Sequence, residues 1–212
     1  MQPLPREVEQ LVAHISAVGL SPKEDERSWD HMGALITDAA LQPRTRYKAI
    51  VHPRAKKVRD EWPDAKVLSG FVDRLDSEDL ASFLKWRASS PKLTKIRDLA
   101  TALDQISVET VPELAARFRN ARLESETRAA LVRVKHVGPK TLDYIAILTG
   151  SNNHVAVDQH VAGFVREAGV GSMDYAGIAG LVTYTAGFLK CSPGALDAAI
   201  WNYMSDRAKG ES

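Results

Sequence analysis

In this 212-residue sequence the side chain best placed for covalent chemistry is a lysine at the start of a predicted helix. Residues 128–160 read RAALVRVKHVGPKTLDYIAILTGSNNHVAVDQH. Apolar spacing predicts a helix ending near Val134, a tight turn over Lys135, His136, Val137 and Gly138, and a second helix that begins with Pro139. Gly138 supplies backbone freedom where the chain reverses, and proline presets a helical φ without wasting a donor. Lys140 and Thr141 then fall in the first turn, where an ammonium opposes the positive end of the helix dipole. That placement pushes the amine toward its neutral, nucleophilic form. The same helix start leaves unpaired N–H groups pointing outward, a geometry that suits a phosphate. A solvated phosphate contact is the plainer alternative for Lys140.

A carboxylate stands at another helix start. Asp158 follows the apolar run Val155-Ala156-Val157, and as an N-cap it needs no catalytic role. The combination matters more: a carboxylate at one helix start, eighteen positions after a lysine at another. His160 is expected to support the turn around Asp158. Gln42 marks the break after an early helix, just before Pro43 and Arg44. From Gln42 to Arg59 the chain carries seven Lys/Arg residues and no acid, with Tyr47 and His52 among them. This run is either a solvated helical face or a surface that follows phosphates. A second basic loop includes Arg87 and Lys92.

The elements that hold these residues all read as helices. Apolar residues recur at helical spacing throughout, and no stretch alternates as a strand does, so the chain is predicted to be all-α. Val8, Leu11, Val12 and Ile15 form a first stripe. Ser21-Pro22 and Ser28 read as helix-start signals before the stripe of Met32, Leu35, Ile36 and Ala39. Pro53 is expected to interrupt residues 44–59, and Ser77 to cap the helix carrying Leu80, Phe83 and Leu84. Pro112 opens a helix with Leu114 and Phe118, and later helices are predicted over 126–134, 139–148, 159–168, 173–189 and 193–206.

Composition narrows the function classes. With 44% hydrophobic and 26% charged residues, the chain can bury a substantial core. It has no apolar run long enough for a bilayer, and the opening MQPLPREVEQ lacks the pattern of a signal peptide, so a cytoplasmic protein is expected. The single cysteine, Cys191, excludes an internal disulfide and any all-cysteine zinc or iron–sulfur site. His31, His136, His154 and His160 lack metal-ligand spacing. A net charge of +1 favours no partner by itself.

Two segments carry a family resemblance. Val134-Lys135-His136-Val137-Gly138-Pro139-Lys140-Thr141 and Val157-Asp158-Gln159-His160 resemble the L-P-G-V-G-x-K-T hairpin and V-D-x-H segment of the helix-hairpin-helix DNA glycosylase superfamily, which includes endonuclease III and the 8-oxoguanine glycosylases. The lysine-to-aspartate separation matches that of bifunctional members. Residues 29–58 resemble the early helices of that family's six-helix lobe. Leu196-Asp197-Ala198-Ala199-Ile200-Trp201 resembles the last helix of the small archaeal 8-oxoguanine glycosylases. Two departures stand out: Lys135-His136 replaces the usual Pro-Gly, and the iron–sulfur cysteines of endonuclease III are missing.

The resemblance implies two helical lobes, residues 30–152 ending in the hairpin and residues 1–29 with 153–212, and an active-site cleft between them. It implies a bifunctional DNA glycosylase/AP lyase of base excision repair, a monomer in the cytoplasm and on the nucleoid, without membrane contact. Its substrate would be double-stranded DNA containing a damaged or modified base, an oxidised purine such as 8-oxoguanine being favoured. Lys140 would form a Schiff base with the sugar, and Asp158 would stabilise the cationic transition state and help deprotonate the lysine. Gln42 would fill the gap left by the flipped base. Arg44, Arg87, Lys92, Lys135, His136, Val137, Gly138 and Thr141 would contact DNA, with His160 in support. No metal or iron–sulfur cofactor is implied, although a monovalent cation at the hairpin is compatible. Two alternatives stay open: a monofunctional glycosylase for alkylated or other modified bases that uses Asp158 alone, and a non-catalytic helix-hairpin-helix DNA-binding module.

Overall fold

Helix starts in this chain are written by polar side chains and prolines. Thr110 and Glu113 form a reciprocal capping box ahead of a proline in the first turn. Asn120, Asp79 and Ser90 each accept a backbone N–H from the helix that follows. The computed structural model describes residues 5–24 and 27–210; the first four residues of the MQPLPREVEQ segment lie outside that description. All regular structure among the described residues is helical, and no helix among them is long and apolar enough to cross a membrane. The chain divides into two compact units, Arg27–Gly150 and Met1–Glu26 with Ser151–Ser212.

The Arg27–Gly150 unit contains α2 (Met32–Leu41), α3 (His52–Glu61), α4 (Leu68–Ser77), α5 (Leu80–Leu84), α6 (Pro91–Asp104), α7 (Val111–Phe118), α8 (Ala121–Leu131) and α9 (Pro139–Leu148). Every residue of α2 is buried, which makes it the axis around which α3, α6 and α9 pack. Gly33 permits this packing, because a Cβ there would lie 2.7 Å from the Phe71 ring. Leu35, Ile36, Leu41, Phe71, Ile96, Leu99 and Leu103 form the centre of the core. The α2 N-cap is His31, whose Nδ1 accepts the Ala34 N–H at 3.2 Å. Nε2 therefore carries the proton and donates to the Trp62 carbonyl at 3.0 Å. Burial holds this imidazole below its ordinary pKa, consistent with a neutral cap.

The other unit contains α1 (Arg6–Ala17), α10 (Gln159–Glu167), α11 (Tyr175–Leu189) and α12 (Pro193–Gly210). Val8, Leu11 and Ile15 turn the buried face of α1 into a core shared with Val161, Phe164, Val182, Leu196 and Ile200. Asp174 caps α11. Ser192 Oγ accepts the Ala195 N–H at 3.1 Å, while Glu24 accepts from both the backbone and the hydroxyl of Ser192.

Several expected boundaries move. No helix starts at Ser21 or Ser28, and the helix signal at α2 is His31. Ser77 ends α4, its hydroxyl donating to Asp73 O, and Asp79 caps α5 because it immediately precedes the helix and its carboxylate reaches two N–H groups. Pro53 does not break the chain. It falls in the first turn of α3, where no donor is needed, directly after a π-helical turn over Tyr47–Val51. The helix expected from residue 126 starts at Ala121, where Asn120 provides the cap.

Candidate functional site

The turn between α8 and α9 differs from expectation at one residue. Gly138 has φ −122° and ψ −175°, extended backbone open to any residue. His136 takes the left-handed conformation instead, at φ 65°. Val137, buried at 7% exposure, drops its side chain into the core and so determines where the chain must reverse. Lys95 Nζ donates to the His136 carbonyl at 3.2 Å and holds that reversal. Between the two helices, Arg128 of α8 donates to Asp143 of α9 at 2.5 Å and to Glu124 at 2.7 Å. The expected outward row of donors is shortened, because the Thr141 and Leu142 N–H groups both donate to Gly138 O. Thr141 is also buried, whereas Lys135 and His136 are exposed.

Lys140 stands in the first turn of α9, which has no acidic residue there and no side-chain cap. Its ammonium donates to Gln42 Oε1, across 98 residues of sequence, and lies 4.9 Å from the centre of the Tyr144 ring. Gln42 is positioned as the C-cap of α2, its N–H donating to Asp38 O at 2.9 Å. Tyr144 is positioned by Asp38 as well: its hydroxyl donates to Asp38 Oδ1 at 2.9 Å. Asp38 Oδ2 accepts from Trp29 Nε1 at 3.0 Å and from the Tyr47 hydroxyl at 3.1 Å. Burial pushes the Asp38 carboxyl above its ordinary value, against three hydrogen bonds that favour the anion. Burial, followed by the Asp38 charge, likewise raises both tyrosines, which keeps them as donors. The sequence reading missed Asp38 and Tyr144, and it placed Tyr47 only within the basic run. The signal for Asp38 was a lone acid in MGALITDAAL, a helix otherwise free of charge.

Four of the expected contact residues, Arg44, Arg87, Lys92 and His136, line one cavity of about 810 Å³ together with Trp86 and Lys95. Lys92 Nζ donates to Leu41 O and Pro43 O, both at 2.6 Å, and to Thr45 Oγ1 at 2.5 Å. Its three N–H bonds are thus taken up by the fold. Burial, and then the nearby Lys140, lower its pKa. Lys95, another residue the sequence did not single out, is only 5% exposed. Burial, with Lys140 and Lys92 adding repulsion, pushes its amine down to about 8.

The basic run divides in the same way. Arg54 donates to Leu84 O and Ile50 O, and Lys57 to Phe83 O, so both brace the unit. Lys56 and Arg59 pair with Asp60, while Arg44, Arg46 and Lys48 stand exposed. In the other unit, Asp158 caps α10. Its Oδ1 accepts the His160 and Val161 N–H groups at 2.8 and 3.1 Å, and Oδ2 accepts no hydrogen bond among the described residues. His160 supports this turn through its backbone; its ring stands edge-on to Trp201 at 6.0 Å. Among the described residues, no three His, Cys, Asp or Glu side chains gather as a metal site.

A family model described as a domain of unknown function, DUF8548, matches residues 9–205. No curated protein and no solved structure matches the chain.

Proposed function

This chain belongs to the DUF8548 family, and we propose that it is a helix-hairpin-helix DNA glycosylase with AP lyase activity. The reading rests on the hydrogen bond between Lys140 and Gln42. The family resemblance assigns these two residues to the same extruded nucleotide, one attacking its sugar and the other filling the space it leaves. Their side chains meet although 98 residues separate them in sequence, and that proximity supports this pair of roles. The Asp38–Tyr144 arrangement beneath the lysine adds a rigid, aromatic floor to the amine.

In the proposed reaction a nucleotide bearing a damaged base, an oxidised purine being favoured, is flipped out of the duplex at a cost of a few kcal/mol. The C1′–N bond breaks as the neutral Lys140 amine forms a C1′–Nζ bond, and the base departs with a proton. Asp158 stabilises the oxocarbenium character of the sugar. Ring opening gives an imine, and loss of a C2′ proton then expels the 3′ phosphate. The reading requires the Asp158 carboxylate to reach the deoxyribose that Lys140 attacks, and its Oδ2 is the atom outside the cap.

Borohydride trapping on abasic duplex DNA tests the proposal. A covalent adduct is expected with the unaltered protein and none with Lys140→Gln, together with base release from at least one duplex in a panel of single modified bases. The capping role of Asp158 favours a second reading, a DNA-binding module without catalysis. Duplex binding with neither adduct nor base release would establish that reading and remove the first. Base release without an adduct would leave a monofunctional glycosylase.

A further inference from the structure

We propose that the cavity bounded by Arg44, Trp86, Arg87, Lys92, Lys95 and His136 binds a terminal phosphate, a phosphomonoester carried by a nucleic-acid strand end or by a free nucleotide. The inference goes beyond the glycosylase reading and uses neither Lys140 chemistry nor Asp158. Its basis is the charge arrangement inside about 810 Å³ of open space. Among the described residues, no aspartate or glutamate lines that space. Lys95 sits in its wall at 5% exposure with one hydrogen-bond acceptor among the described residues, the His136 carbonyl, leaving two N–H bonds for a ligand. Lys92 contributes charge but no donor, since three protein oxygens take its N–H bonds. Arg44 and Arg87 stand exposed and keep their guanidinium forks for phosphate oxygens.

A buried ammonium without a counter-ion is disfavoured, and the depressed pKa of Lys95 records that penalty. A dianion beside it would reverse the penalty. The burial also selects the kind of phosphate. A phosphodiester inside a strand continues on both sides and stays at the surface, whereas a terminal group can enter and reach an amine set into the wall. A phosphomonoester carries close to two negative charges at neutral pH, which the converging cations favour over a single charge.

The test uses the full chain and duplexes without any modified base, so its outcome is separate from base release. Binding is measured by fluorescence anisotropy for one duplex with a 5′-phosphate and with a 5′-hydroxyl. The phosphorylated end is expected to bind about tenfold tighter or more, and Lys95→Gln to bring the ratio close to one. Calorimetry with thymidine monophosphate then distinguishes the sources: binding that Lys95→Gln weakens identifies a free nucleotide site, and its absence beside a retained end preference identifies a strand-end site. Should Lys95→Gln fail to fold, Arg87→Gln at the rim is expected to reduce the same ratio severalfold. Equal affinity for both ends without nucleotide binding, or a preference unchanged in the variant that folds, overturns the proposal.

Discussion

Asp38 and Lys95 are both buried in the Arg27–Gly150 unit, one at 0% and the other at 5% exposure, and the fold treats them in opposite ways. The acid receives three donors, from Trp29, Tyr47 and Tyr144. The base finds one carbonyl and two neighbouring cations that repel it. A buried charge is tolerated when its hydrogen-bonding capacity is met and is costly otherwise. Asp38 thus belongs to the architecture, tying α2 to α9 through Tyr144. Lys95 sits in the interior at a cost to stability, the pattern expected of a group whose partner comes from outside the chain.

The largest effect should come from breaking the satisfied charge. Asp38→Ala leaves three donors in the interior without an acceptor and is expected to cost about 3–5 kcal/mol. Urea denaturation measures this, and a loss below about 1 kcal/mol would show that the acid is not a structural centre.

Removing the unsatisfied charge should act in the other direction. A shift from 10.5 to about 8 corresponds to about 3 kcal/mol, offset by about 1 kcal/mol for the lost bond to His136. Lys95→Met is therefore expected to stabilise the protein by about 2 kcal/mol at pH 7. The pH dependence follows from the direction of the shift. The folded pKa lies below the unfolded one, so between about pH 8 and 10.5 the unfolded chain binds more protons. This group makes the unaltered protein more stable as pH rises through that window, and the advantage of Lys95→Met should fade across it. An advantage independent of pH would sever the link to the ammonium.

Smaller effects sharpen the comparison at the turn that Lys95 holds. His136 adopts φ 65° without being glycine, and His136→Gly is expected to add about 1 kcal/mol. The carbonyl that Lys95 bonds is kept, so thermal melting should shift upward while the pH response of Lys95 stays unchanged. Gly138→Ala should do least to the fold, within about 0.5 kcal/mol, because its backbone is extended and an added Cβ meets nothing within 4 Å. Under the glycosylase reading that open space is where a strand approaches, so duplex affinity should fall although melting does not. An affinity equal to that of the unaltered chain would place the strand elsewhere.

Much of the helical framework was legible because its signals are local. Pro139 and the apolar run after it predict the observed Pro139–Leu148 helix, and Pro112 with Leu114 and Phe118 marks α7. Capping was less legible where two polar residues compete, as Ser77 and Asp79 do before α5, since the choice depends on which side chain reaches an amide. The turn was misread for a different reason. Glycine is permitted a left-handed conformation but not obliged to take it, and the burial of Val137 with the Lys95 contact assigned it to His136.

By itself, then, the amino-acid order determined that this chain is helical, where most helices begin, and that a lysine opens one and an aspartate another. Those features depend on neighbours within about one helical turn, whose spacing is set by the backbone. Only the tertiary structure decided that Gln42 meets Lys140, that Asp38 is satisfied by Tyr144 from 106 residues away, and that Lys95 is buried beside like charges. Such meetings depend on how whole helices pack, and hydrophobic spacing specifies which face is buried without specifying what it will touch.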